Sequence, residues 1–404
     1  MNSIELIAAF SGADASHYES LFSFSEACQV VDVEIYAIGN EDTNAQYSAK
    51  WEVWKQTHII LKLITADGYE GISGVTSFNS GDFSDSCLLE LQSITSDLCK
   101  LRTMDPVKVG VILAQIRSNL SDLARSSIDI ALWDLVAKRA NISLASMLGA
   151  KRNSIKAYAS LPCFESLSNY SDAVKKYAKI GYTVFKFHVW GDLNKDTALV
   201  KSINKEFKNS DYQFMVDLES TYSLDDAVKL GQTMDQDLFI FIEAPIDDHL
   251  LQQYRKLREI LTIPIVPDGF ELYSSEFINQ GIREKSWSAG RFDATIVGGI
   301  TESLRLMIIA NEANLPIELQ SWGYTLVQLA NLHLMLANER SQYFETPTPI
   351  NVYNFAMKGG IFFDRGFVFD PNKHGLGIEV DWGKLATADY YIKVKKKLIN
   401  IPTK

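Results

Sequence analysis

Cysteine is scarce in this chain, with four in 404 residues. Cys28, Cys87, Cys99 and Cys163 show neither paired nor metal-type spacing. That excludes a disulfide scaffold and fits a reducing compartment, so the expected location is cytoplasmic. Long hydrophobic runs are also missing. None approaches the ~20 residues of a membrane span. Near the start, Glu5 stands where a signal peptide carries positive charge, and the apolar stretch after it (LIAAF) is too short for one. An excess of positive charge is absent too: 39 basic against 50 acidic side chains give a net charge of −11. This argues against nucleic acid and against an anionic membrane surface as partners. What the chain does have is 47% hydrophobic residues, enough for a large core in two or three domains.

The patterning changes near residue 150. Before it, 30–37 and 58–67 read as strands, and Asp67-Gly68 makes a turn into a short strand through Gly71–Val75. From residue 85 the pattern is helical, most clearly over 121–140, with a further short helix expected at 16–23. Strands followed by helices predict a small α+β domain. After 150, short apolar strands are expected at 155–160, 183–188, 213–217, 238–243, 263–267, 292–297, 316–320 and 342–345, with helical stretches between them. Eight such units predict a parallel β/α barrel. A doubly wound open sheet is the alternative, weakened because no glycine-rich phosphate fingerprint follows an early strand.

Acidic residues recur in phase with these units. Asp217 to Glu243 is 26 residues, Glu243 to Asp268 is 25, and Asp268 to Asp293 is 25. One β/α unit per interval places these acids around the mouth where barrel strands end. Converging carboxylates repel, so a hard dication is expected among them, and Mg²⁺ suits a site that keeps positions for water and substrate oxygens. A single acid capping the following helix is the structural alternative. The preceding strand ends Phe185-Lys186-Phe187-His188, with Lys186 and His188 on one side. They could serve as counter-charges. They could also do acid/base chemistry, since a nearby dication and ammonium favour a neutral imidazole able to act as a general base.

Several stretches together resemble the enolase superfamily, in its mandelate racemase/muconate lactonizing enzyme branch. They are SSIDIALWDLVAKRANISLASMLGA (126–150), KFH (186–188), VDLE (216–219), IEAP (242–245), PIVPD (264–268) and FDATIVGGIT (292–301). The resemblance implies an α/β fold: a modified TIM (β/α) barrel over 151–364, with an N-terminal α+β capping domain of 1–150 joined by the tail from 365. It implies Mg²⁺ held by Asp217, Glu243 and Asp268, with a substrate carboxylate bound to the metal. Lys186 would steady the enediolate, and His188 would take the proton α to the carboxylate. It also implies an even-numbered assembly of identical chains.

The departures bear on mechanism. In PDGFEL, the racemase type would place its ligand at Gly269, and Glu271 is a substitute from a shifted loop. Asp293 matches the acid of a His-Asp dyad, but the seventh strand reads Gln320-Ser321-Trp322-Gly323-Tyr324, with no histidine. His333 lies further on, in an apolar helix where packing is expected. Racemisation wants two bases, whereas a syn elimination needs one. The expectation is therefore a Mg²⁺-dependent dehydratase of an acid sugar, with His188 as base. Tyr324 or Asp293 are candidates for protonating the leaving group, and Glu345 for bonding the substrate carboxylate. A racemase or epimerase of an α-substituted carboxylate is the alternative, and a non-catalytic carboxylate-binding barrel a third reading. The substrate's far end is expected against two cap loops, 38–57 (Asn44, Gln46, Tyr47, Trp51, Trp54) and 73–83. Trp190-Gly191-Asp192 either lines the mouth or forms a turn, and Lys395–Lys397 reads as a solvated helix face.

Overall fold

A computed structural model of the protein describes residues 1–23, 29–43, 48–50, 53, 56–77, 86–269 and 274–397. Two short helices come first, α1 (Ser3–Ser11) and α2 (Ser16–Phe22). The antiparallel strands β1 (Val30–Gly39), β2 (Thr57–Thr65) and β3 (Glu70–Ser77) follow. Alternation sorts their side chains. Val33, Ile35, Ile59, Leu61 and Val75 share one core with Leu88, Leu91 and Ile94 of α3 (Ser86–Leu98). Tyr36, Ile38, Ile60 and Ile72 on the other face join the core that runs into the second domain.

Next come α4 (Pro106–Ile116), α5 (Asp122–Arg139) and α6 (Leu144–Met147). Ser121 caps α5, accepting from the Ala124 N–H. Gly71 lets β3 lie against α5, since a β-carbon there would meet the Ala131 carbonyl oxygen at 2.1 Å. The N-terminal helix docks on the rest of the chain through Leu6 and Ile7, both buried, and through a Ser3 hydroxyl bond to Asp105 of 2.6 Å.

The second domain alternates strand and helix: β4 (Ser154–Leu161), α7 (Leu167–Ala178), β5 (Val184–His188), α8 (Leu193–Phe207), β6 (Gln213–Asp217), α9 (Leu224–Gly231), β7 (Phe239–Glu243), α10 (Leu251–Ile260), β8 (Ile265–Val266), α11 (Ser275–Arg283), α12 (Gly299–Glu312), α13 (Thr325–Ala337) and β9 (Tyr343–Pro347). Strands β4 to β8 pair in parallel, and β9 returns parallel to β4, closing the barrel. Tyr158, Val184, Met215, Phe241 and Val266 form a separate packed cluster drawn from five successive strands.

The sixth and seventh positions differ from expectation. Residues 292–297 are not a strand. The extended piece lies earlier: Ser288 donates to the Ile265 carbonyl at 2.8 Å, Gly290 bridges Ile317, and Gln320 donates to Phe292 at 3.0 Å. Asp293 ends it, because its carboxylate accepts from the Thr295 N–H at 2.7 Å and so stabilises a turn. Closure toward β9 uses side chains, with the Ser321 hydroxyl bonding both the carbonyl and the N–H of Glu345.

The chain then forms β10 (Met357–Lys358), the hairpin β11 (Phe362–Asp364) and β12 (Phe367–Phe369), β13 (Glu379–Val380), α14 (Trp382–Leu385) and β14 (Tyr390–Lys397). The hairpin pairs with barrel strand β4, whereas β14 pairs with β1 of the first sheet. The basic run at 395–397 is therefore strand and not helix. Lys395 bonds Glu34 at 2.7 Å and Asp32 at 3.0 Å, which accounts for its charge. Among the described residues no helix is long and apolar enough to cross a membrane.

Candidate active site

Register brings the first residues together. His188 is level with Asp217, and Asp217 with Glu243, at the carboxyl ends of β5, β6 and β7. Lys186 lies one step deeper and points the same way. Its ammonium contacts Glu345 at 2.8 Å, Glu243 at 2.9 Å and Asp217 at 3.0 Å. Burial opposes that charge, but the three carboxylates outweigh burial and raise the lysine well above its usual range. Lys186 is therefore held as a cation.

A second buried cation completes the floor. Arg291 donates from Nε to Glu243 at 2.7 Å, and from Nη2 to Glu345 at 2.8 Å and to the Tyr158 hydroxyl at 3.3 Å. Lys186, Glu243, Arg291 and Glu345 thus form a closed ring in which each carboxylate spends one oxygen on each cation. Burial works against the Glu345 charge, yet the two cations pull its carboxyl down to about 2.

His188 donates from Nδ1 to the Leu161 carbonyl at 2.7 Å, since a carbonyl can only accept. Its Nε2 therefore faces Asp217 at 3.3 Å and Glu219 at 3.4 Å. Glu219 and Ser220 have φ of 51° and 55°, a left-handed turn just past β6. Burial, together with the charges of Asp217 and Asp268, pushes Glu219 well above the ordinary carboxylate range.

Asp268 sits past β8. Asp248 accepts from the N–H groups of Asp268 at 3.1 Å and Gly269 at 3.0 Å, and Gln320 donates to the Asp268 carboxylate at 2.9 Å. Position 269 has φ of 73°, and a β-carbon would meet the Arg291 carbonyl oxygen at 2.2 Å. Only glycine fits, so a ligand of the racemase type is sterically barred there, and Asp268 is the acid the strand presents. Glu271 lies outside the described residues, as do Asn44, Gln46, Tyr47, Trp51, Trp54 and the loop from 78 to 83.

Asp293 is committed differently. Besides Thr295, its carboxylate accepts from Asn331 of α13 at 2.8 Å. Burial pushes it up to about 6. Asn331 is thus the partner of Asp293 in a chain without a seventh-strand histidine. The Tyr324 hydroxyl meets Asn40 at 3.3 Å and Thr43 at 3.2 Å, at the junction with the first domain. Its ring stacks on His58, 4.4 Å between centroids. His333 is fully buried, accepting from the Ala145 N–H at 3.1 Å and bonding the Leu376 carbonyl at 3.2 Å. Asp192 caps α8, so Trp190-Gly191-Asp192 forms a strand-to-helix turn.

Arg291, Glu219 and Asp248 were not singled out from sequence. A signal existed for two of them. Glu219 closes the VDLE stretch, and Arg291 is a lone charge two residues before Asp293, hidden when the strand is placed at 292–297.

The donor set suits a hard dication. Five carboxylates (Asp217, Glu219, Glu243, Asp268, Glu345) face two fixed cations, and Asp268 is driven well above its usual range by burial and by Asp248. His188, Asp217 and Glu219 offer ligand atoms within 4.8 Å of one another. Carboxylate oxygens already bonded to Lys186 or Arg291 keep a second lone pair.

Residues 169–384 match the enolase C-terminal domain-like family, and 41–149 match the mandelate racemase/muconate lactonizing enzyme N-terminal domain. The chain is 30% identical over 339 residues to the L-talarate/galactarate dehydratase of Salmonella typhimurium, covering 79% of each. It is 24% identical over 329 residues to the D-Ala-D/L-Ala epimerase of Cytophaga hutchinsonii, covering 79% of this chain and 87% of that one. A solved mandelate racemase/muconate lactonizing enzyme-type structure from Pseudovibrio sp. superposes with a TM-score of 0.86 at 31% identity, covering 91% of this chain and 99% of that chain. An L-talarate/galactarate dehydratase mutant solved with Mg and L-glucarate shares the fold, with a TM-score of 0.80 at 23% identity, covering 92% of this chain and 95% of that one. With both halves matched in order, this chain belongs to the enolase superfamily, in its mandelate racemase/muconate lactonizing enzyme branch, and carries that family's capping domain and TIM-like barrel.

Proposed function

We propose that the chain is an enzyme that dehydrates a sugar acid, beginning with removal of the proton α to a carboxylate. The observation that carries this reading is one poised base among the described residues: His188 is oriented by Leu161, while Asp293 is bound up with Thr295 and Asn331. Asp217, Glu243 and Asp268 would hold Mg²⁺. When bound, the ion supplies Lewis-acid stabilisation of negative charge on the substrate's carboxylate.

The chain's own residues account for the remaining steps. His188 Nε2 takes the α-proton, and the C–H electrons move toward the carboxylate. Lys186, held as a cation by three carboxylates, stabilises the enediolate and is no base. The electrons return to form the Cα–Cβ double bond as the β-hydroxyl departs, and His188 gives its proton to that oxygen, releasing water. The enol then tautomerises to a 2-keto-3-deoxy acid. Glu345 and Arg291, engaged with each other, position Lys186 and Glu243 and leave substrate binding to other groups.

Incubation with Mg²⁺ and a panel of mono- and diacid sugars tests the reading through keto-acid formation and α-deuterium uptake. Keto acid is the expected product, and His188→Ala should lower turnover about 10²- to 10⁴-fold, the usual share of a general base. Deuterium uptake without keto acid would favour epimerisation, the activity named for the Cytophaga relative. Binding without exchange would favour a non-catalytic barrel.

A further inference from the structure

His188 and the carbonyl that orients its ring belong to different strands. The β4–β5 ladder ends with Leu161 opposite Phe187, one residue before His188. Pro162 comes next on the β4 side and has no N–H with which to extend that ladder. The 2.7 Å bond from His188 Nδ1 to the Leu161 carbonyl therefore spans two strand ends at the last rung, where the ladder itself no longer fixes their separation.

Tyr170 of α7 bridges those ends. Its hydroxyl donates to the main-chain carbonyl of His188 at 2.6 Å and accepts from the Phe164 N–H at 3.2 Å. Phe164 lies three residues beyond Leu161. One oxygen thus ties the residue that carries the imidazole to the segment that leaves the orienting carbonyl. The 2.6 Å separation is at the short end for an O–H to oxygen bond. Burial raises the phenol well above its usual range, so Tyr170 keeps the proton that it donates.

Packing holds that hydroxyl in place. The Tyr170 ring is fully buried and meets Phe164, Phe187 and Trp190 edge-on, with centroids 5.0, 5.5 and 5.3 Å away. Phe187 directly precedes His188, and Trp190 follows it by two residues. The aromatic contacts and the hydrogen bonds therefore converge on the same strand end. Substituting the ring would loosen both sets at once, whereas removing the hydroxyl alone would release only the two main-chain groups.

We propose that Tyr170 is a positioning residue for His188. By holding the His188 carbonyl and the Phe164 N–H on one hydroxyl, it sets the aim of the imidazole toward the α-proton. This rests on the reading of His188 as the base. Small displacements matter at such a group, since a misplacement of about 1 Å can cost about 10²-fold in rate.

Tyr170→Phe keeps the ring and removes the hydroxyl. Magnetic resonance of the full chain with Mg²⁺ and ¹⁵N-labelled histidine reads the imidazole without any substrate, and His188→Ala identifies its signals among the six histidines. The His188 Nδ1 signal is expected to shift in Tyr170→Phe as the bond to Leu161 lengthens. Tyr177→Phe is the matched control: it removes another buried hydroxyl from α7 and should leave that signal in place. On a panel acid that is turned over, Tyr170→Phe should lower kcat about tenfold at unchanged KM, and Tyr177→Phe should not. Melting temperature reports that each variant is folded. An unshifted His188 signal would overturn the proposal, and so would an equal loss of kcat in both variants or a loss confined to KM. A shifted signal together with full turnover by His188→Ala would leave the positioning standing and remove the reading of His188 as the base.

Discussion

Arg291 shows how much one side chain can organise. Its guanidinium reaches Glu243 and Glu345 through separate nitrogens, so both carboxylates are bonded to it without competing for one donor. Arg291→Met would leave each with a single cation in a buried setting. Breaking a buried ion pair by removing one partner typically costs about 3–5 kcal/mol. Denaturant unfolding of the metal-free protein should show a loss of that order. Arg291→Lys should recover only part of it, because one ammonium cannot copy the two-pronged geometry. A loss below 1 kcal/mol would mean that the ring contributes little to the fold.

At the level of elements, the domains are locked where α5 meets α12. Asp129 of α5 accepts from the Thr301 N–H at 3.0 Å and from the Thr301 hydroxyl, which in turn accepts from Trp133 at 3.0 Å. Burial raises Asp129 from 3.8 to about 7, even though its bonds to Thr301 pull it down. A carboxyl raised on folding makes the folded state the better proton binder. Its contribution is fully present below the unfolded value of 3.8 and is lost as pH rises through about 7. At 1.36 kcal/mol per unit, that is about 4 kcal/mol across the window. Asp129→Asn keeps an oxygen for Thr301 and does not titrate. It should flatten the fall in stability between pH 4 and 7, as read from unfolding free energies at several pH values. An unchanged pH slope would exclude Asp129 as its source.

For the whole molecule, the decisive quantity is charge around the barrel mouth. Five carboxylates face two cations in this buried centre, and Glu219 and Asp268 are pushed well above their usual range, so protons or a dication must offset the excess of acids. A dication that binds the folded state alone stabilises it by RT ln(1 + [L]/Kd), about 2.7 kcal/mol at a hundred times Kd. Mg²⁺ should therefore raise the melting temperature in a concentration-dependent way, and a chelator should reverse the rise. A melting temperature indifferent to Mg²⁺ would count against the metal site.

The acids spaced by 25 or 26 residues were legible because a β/α unit has a nearly constant length, so sequence period becomes position around a barrel. Lys186 and His188 were legible for a similar reason, since strand residues two apart share a side. Those local periods pointed to the barrel and to the candidates on β5 to β8, whereas the capping role of the first domain came from the family resemblance. Tertiary structure alone decided which groups meet. Arg291 joins Glu243 and Glu345 across 48 and 54 residues of chain. Glu219 comes within 3.4 Å of His188, and Asn331 closes on Asp293. No period encodes such pairings, because they depend on side-chain reach across the closed barrel and on which partners burial denies to water.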